Sequence, residues 1–298
     1  MKLLVIGANG QVGFELQRSL APLGEVTAID YPDLDITDAD ALRACLHRVG
    51  PDVLVNAAAY TAVDKAEADE STALAVNATA PGVMAQEMAR TGGLMVHYST
   101  DYVFDGNHTR PWTEDEAPNP LSAYGRTKLA GERAVQAAGG AHFIFRTAWV
   151  YGRRGGNFML TMIRLMKERD TLRVVADQQG TPTWCRTLAD VPAEIIGRVW
   201  ASPDSRAEAH AKRGVYHLTQ RGATTWHAFA QAILASAPEL ATRRHVSIEA
   251  ITTADYPLPA RRPAYSVLDN GKLERAFGIR TADWRHALDE CIRTPGAA

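Results

Sequence analysis

The stretch LLVIGANGQVG, at residues 3–13, decides the fold, because it joins a short apolar run to a glycine-rich turn and the start of a helix. Leu3–Ile6 has the length and composition of a strand that is buried on both faces of a sheet. From Val12 to Leu20, apolar residues recur at intervals of three and four, which predicts an amphipathic helix. A strand, a glycine turn and a helix in this order are typical of the first unit of a doubly wound α/β fold.

The same alternation of short apolar runs and amphipathic stretches continues to about Arg146. It predicts further strands at 26–29, 53–55, 94–98 and 143–145, and helices at 39–49 and 73–90. Beyond Trp149 the pattern is mixed, with helices predicted at 158–169, 184–201 and 226–237, short strands at 172–175 and 246–248, and surface loops at 139–140, 152–156 and 202–212. The predicted fold is α/β, with a Rossmann-type doubly wound parallel sheet and a smaller mixed α/β substrate domain. We place an NAD(P)-binding domain at residues 1–150, to which later segments return, and the substrate domain mainly at residues 151–298.

The composition indicates a globular protein without a general affinity for polyanions. The 298 residues are 46% hydrophobic, enough for a sizeable core, and 32 Lys and Arg oppose 34 Asp and Glu, a net charge of −2. This balance argues against nucleic acid or an anionic membrane as a partner. No early apolar run approaches the ~18 residues of a spanning helix. Cys45, Cys185 and Cys291 form no pair at zinc spacing, so we expect reduced thiols and a cytoplasmic protein.

The glycine turn and an acid downstream of it predict a dinucleotide site. Gly7 allows a tight turn, Gly10 allows the backbone to approach a pyrophosphate, and Gly13 allows close packing of the helix on the strand. Asp30 ends the second predicted strand, 20 residues after Gly10, where a carboxylate accepts hydrogen bonds from an adenosine ribose. Since residues 8–12 include no Arg or Lys to neutralise a 2′-phosphate, the residues themselves favour NAD(H).

A candidate catalytic group follows the strand at 94–98. Thr100 and Asp101 lie at the carboxyl end of this strand, the edge at which open α/β sheets bind ligands. Tyr124 and Lys128 are four residues apart and therefore share one face of a predicted helix. We expect the ammonium group to lower the pKa of the Tyr124 phenol, so that the phenol exchanges a proton near neutral pH. We expect the Thr100 hydroxyl to hydrogen-bond the substrate carbonyl that the phenol protonates.

Several single residues have two interpretations. Trp149 alone is typical of a core residue. Arg261 and Arg262 suit either a solvated surface or a diphosphate, which two guanidinium groups in a Pro-rich loop would bind well. Glu15 is one carboxylate on a helix, too little to name a metal ligand.

Longer motifs occur along nearly the whole chain. They are VNAAAYTAVDKAE at 55–67, HYSTDYVFDG at 97–106, YGRTKLAGE at 124–132, RTAWVY at 146–151, DQQGTPT at 177–183, PARRP at 259–263 and SVLD at 266–269. With these motifs the sequence resembles the extended short-chain dehydrogenase/reductases that act on nucleotide sugars. Within them it is most similar to the family of dTDP-4-dehydrorhamnose reductases.

The resemblance implies an activity and a set of site residues. The C4 keto group of dTDP-4-dehydro-L-rhamnose would take a hydride from the nicotinamide and a proton from Tyr124, with Lys128 and Thr100 as the other catalytic residues. The implied sugar site includes Thr100, Asp101 and Trp149, to which we add Arg261 and Arg262. The implied cofactor site consists of Gly7, Gly10, Gln11, Val12, Gly13, Asp30, Asp35, Ile36, Ala59, Tyr60, Thr61, Tyr124 and Lys128.

The family also bears on cofactor choice and assembly. Its members generally use NADPH and often accept NADH, so we expect NADPH with NADH also accepted, although Asp30 favours NAD(H). Mg²⁺ is reported for the family and is possible here. We expect a monomer or a homodimer.

Two other functions stay open at this point. The regulatory subunit of methionine adenosyltransferase resembles this family and binds a dinucleotide and a partner protein, although the intact Thr100, Tyr124 and Lys128 argue against a purely binding role. A nucleotide-sugar epimerase or dehydratase would retain its NAD(H) between turnovers.

Overall fold

The fold is built on a six-stranded parallel sheet. A computed structural model describes residues 1–200, 203–243 and 245–294, and side chains within these ranges except those of residues 203–205. The strands are β1 (Lys2–Ile6), β2 (Glu25–Ile29), β3 (Val53–Asn56), β4 (Leu94–Thr100), β5 (Ala141–Thr147), β6 (Val150–Tyr151), β7 (Thr171–Val175), β8 (Gln179–Gly180), β9 (Thr183–Trp184), β10 (Gly214–His217), β11 (Thr224–Thr225) and β12 (Ser247–Ile251). The central sheet has the order β10-β5-β4-β3-β1-β2.

Helices cover both faces of this sheet. The helices are α1 (Gln11–Leu20), α2 (Ala39–Val49), α3 (Val63–Ala66), α4 (Glu70–Leu74), α5 (Ala80–Thr91), α6 (Ala123–Ala137), α7 (Phe158–Glu168), α8 (Cys185–Val199), α9 (Pro203–Ala211), α10 (Trp226–Ser236), α11 (Gly271–Phe277) and α12 (Trp284–Arg293). A π-helical turn, Ala75–Thr79, joins α4 to α5. None of the helices described has the length and apolar character needed to cross a lipid bilayer.

Successive side chains of a strand point to opposite faces of the sheet, and so they contact different helices. Leu3 and Val5 of β1 pack in one core with α1, α8 and α11, while Leu4 and Ile6 pack in the other with α2 and α5. The predicted doubly wound α/β fold is therefore confirmed. The five strands expected before residue 150 are all present, with ends within two residues of the predicted ones.

The strand order locates the ligand site. After β2 the chain crosses β1 to form β3, so the connections that leave β1 and β3 run to opposite sides of the sheet. Ligands of open α/β sheets bind in the crevice at such a switch point, outside the carboxyl ends of the strands. The segments that follow β1 and β3 are the glycine turn and residues 57–62.

The chain beyond residue 151 contributes to the cores of both the smaller lobe and the central sheet. A smaller lobe encloses Tyr151, Met159, Phe229 and Trp284, with α7, α10 and α12 packed around the parallel pair of β7 and β12. In contrast, α8 packs against α1, and β10 pairs with β5 as the edge strand of the central sheet. The division at residue 150 stays a prediction about domains.

One predicted loop, residues 202–212, is wrong for the part that the structure describes. Pro203–Ala211 forms α9, while Ser202 lies outside the described residues. The helix is polar, and Ala209 is its one buried residue among those with described side chains. An ion pair between Glu208 and Lys212, four residues apart, supports it. Its polar composition is therefore typical of a surface loop, although its backbone forms a helix.

Candidate active site

A groove of about 550 Å³ runs across the carboxyl ends of β1 to β4, at the switch point of the sheet. Most of the predicted cofactor residues line it, namely Gly7, Gly10, Gln11, Val12, Asp30, Asp35, Ile36, Ala59, Thr61, Tyr124 and Lys128. Gly13 and Tyr60 are not among its lining residues. A second cavity, of about 290 Å³, lies at the opposite end of the sheet and contains no predicted site residue.

Packing explains two of the three glycines in the turn but not the third. Gly7 has a φ of +85°, and a Cβ there would lie 2.5 Å from the nitrogen of Ala58. A Cβ on Gly13 would overlap the carbonyl oxygen of Gly7. A Cβ on Gly10 would approach nothing closer than 3.4 Å, an ordinary contact. The fold therefore does not need glycine at Gly10, whereas a ligand that approaches the backbone there would.

Helix α1 begins in the groove with unsatisfied donors. Gly10 is its N-cap residue and offers no side chain to the amides of the first turn. These N–H groups and the positive end of the helix dipole favour an anion at this position.

The carboxylate of Asp30 holds the glycine turn. Its oxygens accept hydrogen bonds from the backbone N–H groups of Asn9, at 2.7 Å, and Tyr31, at 2.8 Å. Among the described residues that line the groove, Lys128 is the one Lys or Arg, against the two carboxylates of Asp30 and Asp35. Hydrogen bonds from the side chain and backbone of Thr37 lower the pKa of Asp35. The lining near the turn therefore carries negative side chains.

Tyr124, Lys128 and Thr100 meet at the end of the groove formed by β4 and α6. Burial raises the pKa of Tyr124 to about 12, although the neighbouring Thr100 hydroxyl acts to lower it. Burial also lowers the pKa of Lys128 to about 8. The Nζ of Lys128 donates a hydrogen bond of 2.6 Å to the carbonyl oxygen of Tyr98. The expected lowering of the phenol pKa by Lys128 is wrong for this structure, and the phenol is held in its protonated form.

Asp101 is a buried carboxyl group beside this cluster. It is 2% exposed, and the Thr100 hydroxyl donates to its Oδ1 at 3.0 Å. Burial raises the pKa of Asp101 to about 6, although hydrogen bonds with Ser266 and Thr100 oppose the shift. Thr100 thus connects the phenol to a carboxyl group of raised pKa.

A buried ion pair behind α6 was not foreseen from the sequence. The Arg146 guanidinium donates to both oxygens of Glu132, at 2.9 and 2.7 Å, and Ser99 donates to the same carboxylate at 2.5 Å. Glu132 follows Lys128 by four residues and so lies on the same helix face. This spacing is the sequence feature from which a role for Glu132 near Lys128 could have been inferred. The pair fixes the face of α6 that carries Lys128 against β4 and β5.

Asn77 connects α6 to the loop after β3. Its Oδ1 accepts from the backbone N–H of Tyr60 at 2.9 Å, and its Nδ2 donates to the Tyr60 carbonyl and to Thr127, both at 3.2 Å. Asn77 lies in the π-helical turn, a distortion often found at functional sites. Tyr60 therefore helps shape the groove through its backbone.

Trp149 lies between two parts of the smaller lobe. Its ring stacks on Trp226 with centroids 3.6 Å apart and planes at 10°, and a Cβ on Gly180 would overlap its other side. Its φ of +48° is unusual for a residue other than glycine. This half-buried position between β5 and β6 fits a residue that is positioned by packing and is partly accessible.

The two predicted arginines have different surroundings. Arg262 forms a two-point ion pair with Asp64, at 2.8 and 3.2 Å, and lies beside Tyr102. Tyr102 packs edge-on against Tyr124, with ring centroids 5.5 Å apart. Arg261 is exposed. The structure thus brings Arg262 close to Tyr102 and Tyr124 and leaves Arg261 on the surface of the same loop.

The acidic residues do not form a metal site in the part of the chain that is described. The carboxylate of Glu15 accepts from Arg18 and Arg186, each at 3.1 Å. Among residues 1–200, 203–243 and 245–294, no three His, Cys, Asp or Glu side chains cluster as metal ligands. The one carboxylate considered as a ligand, Glu15, is therefore paired with two guanidinium groups.

The fold and this site define an oxidoreductase of the extended short-chain dehydrogenase/reductase class, with a nicotinamide dinucleotide as cofactor. The chain matches the model of the RmlD substrate binding domain family over residues 1–295. It belongs to this family, and the resemblance to the dTDP-4-dehydrorhamnose reductases is confirmed.

Relatives and solved structures agree over almost the full chain. The chain is 49% identical to a dTDP-4-dehydrorhamnose reductase of Burkholderia thailandensis, with 98% of each chain covered, and 42% identical to that of Escherichia coli K12, with 96% and 95% covered. A crystal structure of such a reductase from Clostridium acetobutylicum has a TM-score of 0.88 at 42% identity, with 98% of each chain covered. One from Bacillus anthracis, in complex with NADP, has a TM-score of 0.87 at 32% identity, with 98% and 99% covered.

Proposed function

We propose that this protein reduces the C4 keto group of dTDP-4-dehydro-β-L-rhamnose, giving dTDP-β-L-rhamnose, with NAD(P)H as the reductant. This is the last step of dTDP-L-rhamnose synthesis. The observation that carries the proposal is the neutral phenol of Tyr124, buried beside Thr100 at the end of a dinucleotide groove. A reduction needs a group that gives a proton, and the raised pKa keeps that proton in place until the keto oxygen becomes an alkoxide.

The groove residues would hold the dinucleotide in one orientation. The amides at the start of α1 would bind the pyrophosphate, Asp30 the adenosine ribose, and Asp35 and Ile36 would lie beside the adenine. Ala59–Thr61 would lie on the nicotinamide side, and the ammonium group of Lys128 would reach the second ribose. When bound, the reduced nicotinamide supplies the hydride.

The catalytic residues then complete the reaction. Tyr124 donates its phenolic proton to the C4 oxygen, and the Thr100 hydroxyl hydrogen-bonds the same oxygen. The positive charge of Lys128 stabilises the phenolate that forms. Asp101 and Trp149 would flank the sugar, with Arg261 and Arg262 at the diphosphate. The ion pair of Arg262 with Asp64 would hold that guanidinium in position.

For the cofactor we propose NADPH, with NADH also accepted. The Asp30 carboxylate disfavours a 2′-phosphate, but both its oxygens already accept backbone N–H groups, which lessens its effect as a free charge. We propose no metal ligand, because Glu15 is paired with two arginines.

We further propose that the protein works in the cytoplasm as a monomer or homodimer on this small-molecule substrate. The near-neutral net charge of −2 offers no general attraction for a polymeric anion. It is compatible with a sugar nucleotide that a few placed groups bind.

The test is a direct assay. Purified protein with dTDP-4-dehydro-L-rhamnose should oxidise NADPH and form one equivalent of dTDP-L-rhamnose, as measured by absorbance and mass spectrometry. Absence of oxidation with both NADPH and NADH would contradict the proposal. Gel filtration before the assay should remove the dinucleotide, whereas an epimerase or dehydratase would retain it.

A further inference from the structure

The segment Gly152–Asn157, which follows β6, forms part of the wall of the dinucleotide groove beside Gln11, at the start of α1. Gly155 and Gly156 line the groove on this side. No residue of this segment belongs to the predicted cofactor set. It connects the smaller lobe, through α7, to the start of α1.

Asn157 attaches this segment to α1. Its Nδ2 lies 2.9 Å from the Oε1 of Gln11, to which it donates, and it also faces the carbonyl oxygens of Gly152 and Arg154, at 2.9 and 3.2 Å. Its Oδ1 accepts from the backbone N–H of Leu160 at 3.0 Å and so caps α7. A single side chain thus holds the loop, begins a helix and contacts a residue 146 positions away.

Gly156 has no role in packing. A Cβ there would have no heavy atom within 4 Å, and its φ lies outside the left-handed region that favours glycine. Gly10, in the glycine turn, is also not required by packing. Two glycines that the fold does not need therefore line the same groove, where a ligand that approaches both backbones would require them.

Positive charge is scarce in the described lining of the groove. Lys128, the one Lys or Arg among the described lining residues, belongs to the catalytic cluster on α6. The guanidinium of Arg154 lies 4.4 Å from the ring centroid of Phe14, in the first turn of α1. Arg154 forms no ion pair among the described residues, whereas the neighbouring Arg153 lies 3.5 Å from Glu239. Arg154 lines a separate, smaller cavity with Phe14 and Glu15, so its guanidinium is not part of the groove lining.

From these contacts we propose that Gly152–Asn157 is the outer wall of the pyrophosphate subsite. Asn157 is its positioning residue, and Gly156 leaves room for the phosphates. This inference rests on the dinucleotide use proposed above, and it adds residues that bind the cofactor through the second lobe.

The first test measures NADPH binding by calorimetry. Asn157→Ser keeps an oxygen for the α7 cap, but the serine side chain is too short to reach Gln11. We expect the dissociation constant of NADPH for this variant to rise about five- to tenfold. Gly156→Val should raise it at least tenfold without loss of thermal stability, because its side chain enters open space.

A double-mutant cycle isolates the contact between Asn157 and Gln11. If Asn157 acts by holding Gln11, Gln11→Ala combined with Asn157→Ser should weaken binding no more than the worse single variant. The matched control is Asp283→Ala, which removes the cap of α12 and should lower stability but leave NADPH binding unchanged. In steady-state assays the wall variants should raise KM for NADPH far more than they lower kcat.

The outcomes distinguish failure of the proposed function from failure of the proposed wall. Wild-type protein that binds neither NADPH nor NADH would contradict the proposed function. Wild-type protein that binds NADPH, together with a folded Gly156→Val whose dissociation constant is unchanged within twofold, would overturn the proposed wall alone. The Gly156 variant keeps the test decisive even if Asn157→Ser fails to fold.

Discussion

The carboxylate of Glu132 and the guanidinium of Arg146 form a two-point ion pair, at 2.9 and 2.7 Å, with side chains only 2% and 4% exposed. The pair joins α6 to β5, one helical turn from Lys128. It therefore connects the stability of the sheet with the position of the active-site helix.

Loss of this pair should destabilise the protein strongly. Glu132→Ala leaves a buried guanidinium without its partner, so we expect the free energy of unfolding to fall by about 3–5 kcal/mol in urea denaturation. The matched control is Glu70→Ala, which removes an exposed ion pair with Arg126 on the same helix and should cost about 1 kcal/mol or less. Equal losses in the two variants would contradict the structural role of Glu132.

The pH dependence of the reduction should follow Lys128 rather than Tyr124. Because burial lowers the pKa of Lys128 to about 8, the ammonium form is lost above that pH, while the pKa of Tyr124, at about 12, keeps the phenol protonated. We expect kcat/KM to fall as pH rises through about 8. Lys128→Arg stays charged and should move this fall to higher pH, although its rate is lower. An unchanged pH profile in that variant would assign the fall to another group.

The same shift predicts a trend in stability. Between pH 8 and the ordinary lysine pKa of 10.5, the unfolded chain holds a proton on Lys128 that the folded protein has released. Stability contributed by this residue therefore rises with pH across that window. Urea denaturation of wild type and Lys128→Met at pH 7.5 and 10 measures it, and the advantage of the methionine variant should shrink at the higher pH.

Asp30 should limit the preference for NADPH. Asp30→Asn keeps an oxygen for the Asn9 amide but removes the charge that repels a 2′-phosphate. The ratio of kcat/KM for NADPH to that for NADH should rise by about tenfold. A ratio that stays constant, with both cofactors affected equally, would show that Asp30 acts only by holding the glycine turn.

Substitution of Gly180 should weaken binding of the sugar nucleotide more than binding of the cofactor. In Gly180→Ala the new methyl group overlaps the Trp149 ring and must displace it. We expect KM for the sugar nucleotide to rise severalfold while the dissociation constant of NADPH is unchanged. Gly197→Ala, whose Cβ would lie 3.2 Å from a flexible Leu23 side chain, is the control and should leave both constants unchanged. An unaltered sugar KM in a folded Gly180→Ala would remove Trp149 from the sugar site.

Local patterns were sufficient for the strands, the glycine turn and the helix that carries Tyr124 and Lys128. Each of these features depends on residues close in sequence, such as the apolar run at 3–6 or the spacing of four between Tyr124 and Lys128. The polar helix α9 lacked such a pattern and resembled a loop.

Contacts between distant residues could not be predicted in this way. The Asn157 contact with Gln11 spans 146 positions, and no local spacing indicates it. Spacing also placed Lys128 on the face of Tyr124 without showing that its Nζ donates to the Tyr98 carbonyl. The direction of the Tyr124 pKa shift depends on burial, which only the packed structure determines.

The central claim is that Tyr124 donates the proton in a reduction of the C4 keto group. Its most direct test is the rate of NADPH oxidation with dTDP-4-dehydro-L-rhamnose in Tyr124→Phe beside the wild type, with NADPH binding measured in both. We predict that the variant binds NADPH within about threefold of wild type and loses at least about 100-fold in kcat, because only the proton donor is removed. Turnover near the wild-type rate in Tyr124→Phe would contradict the account.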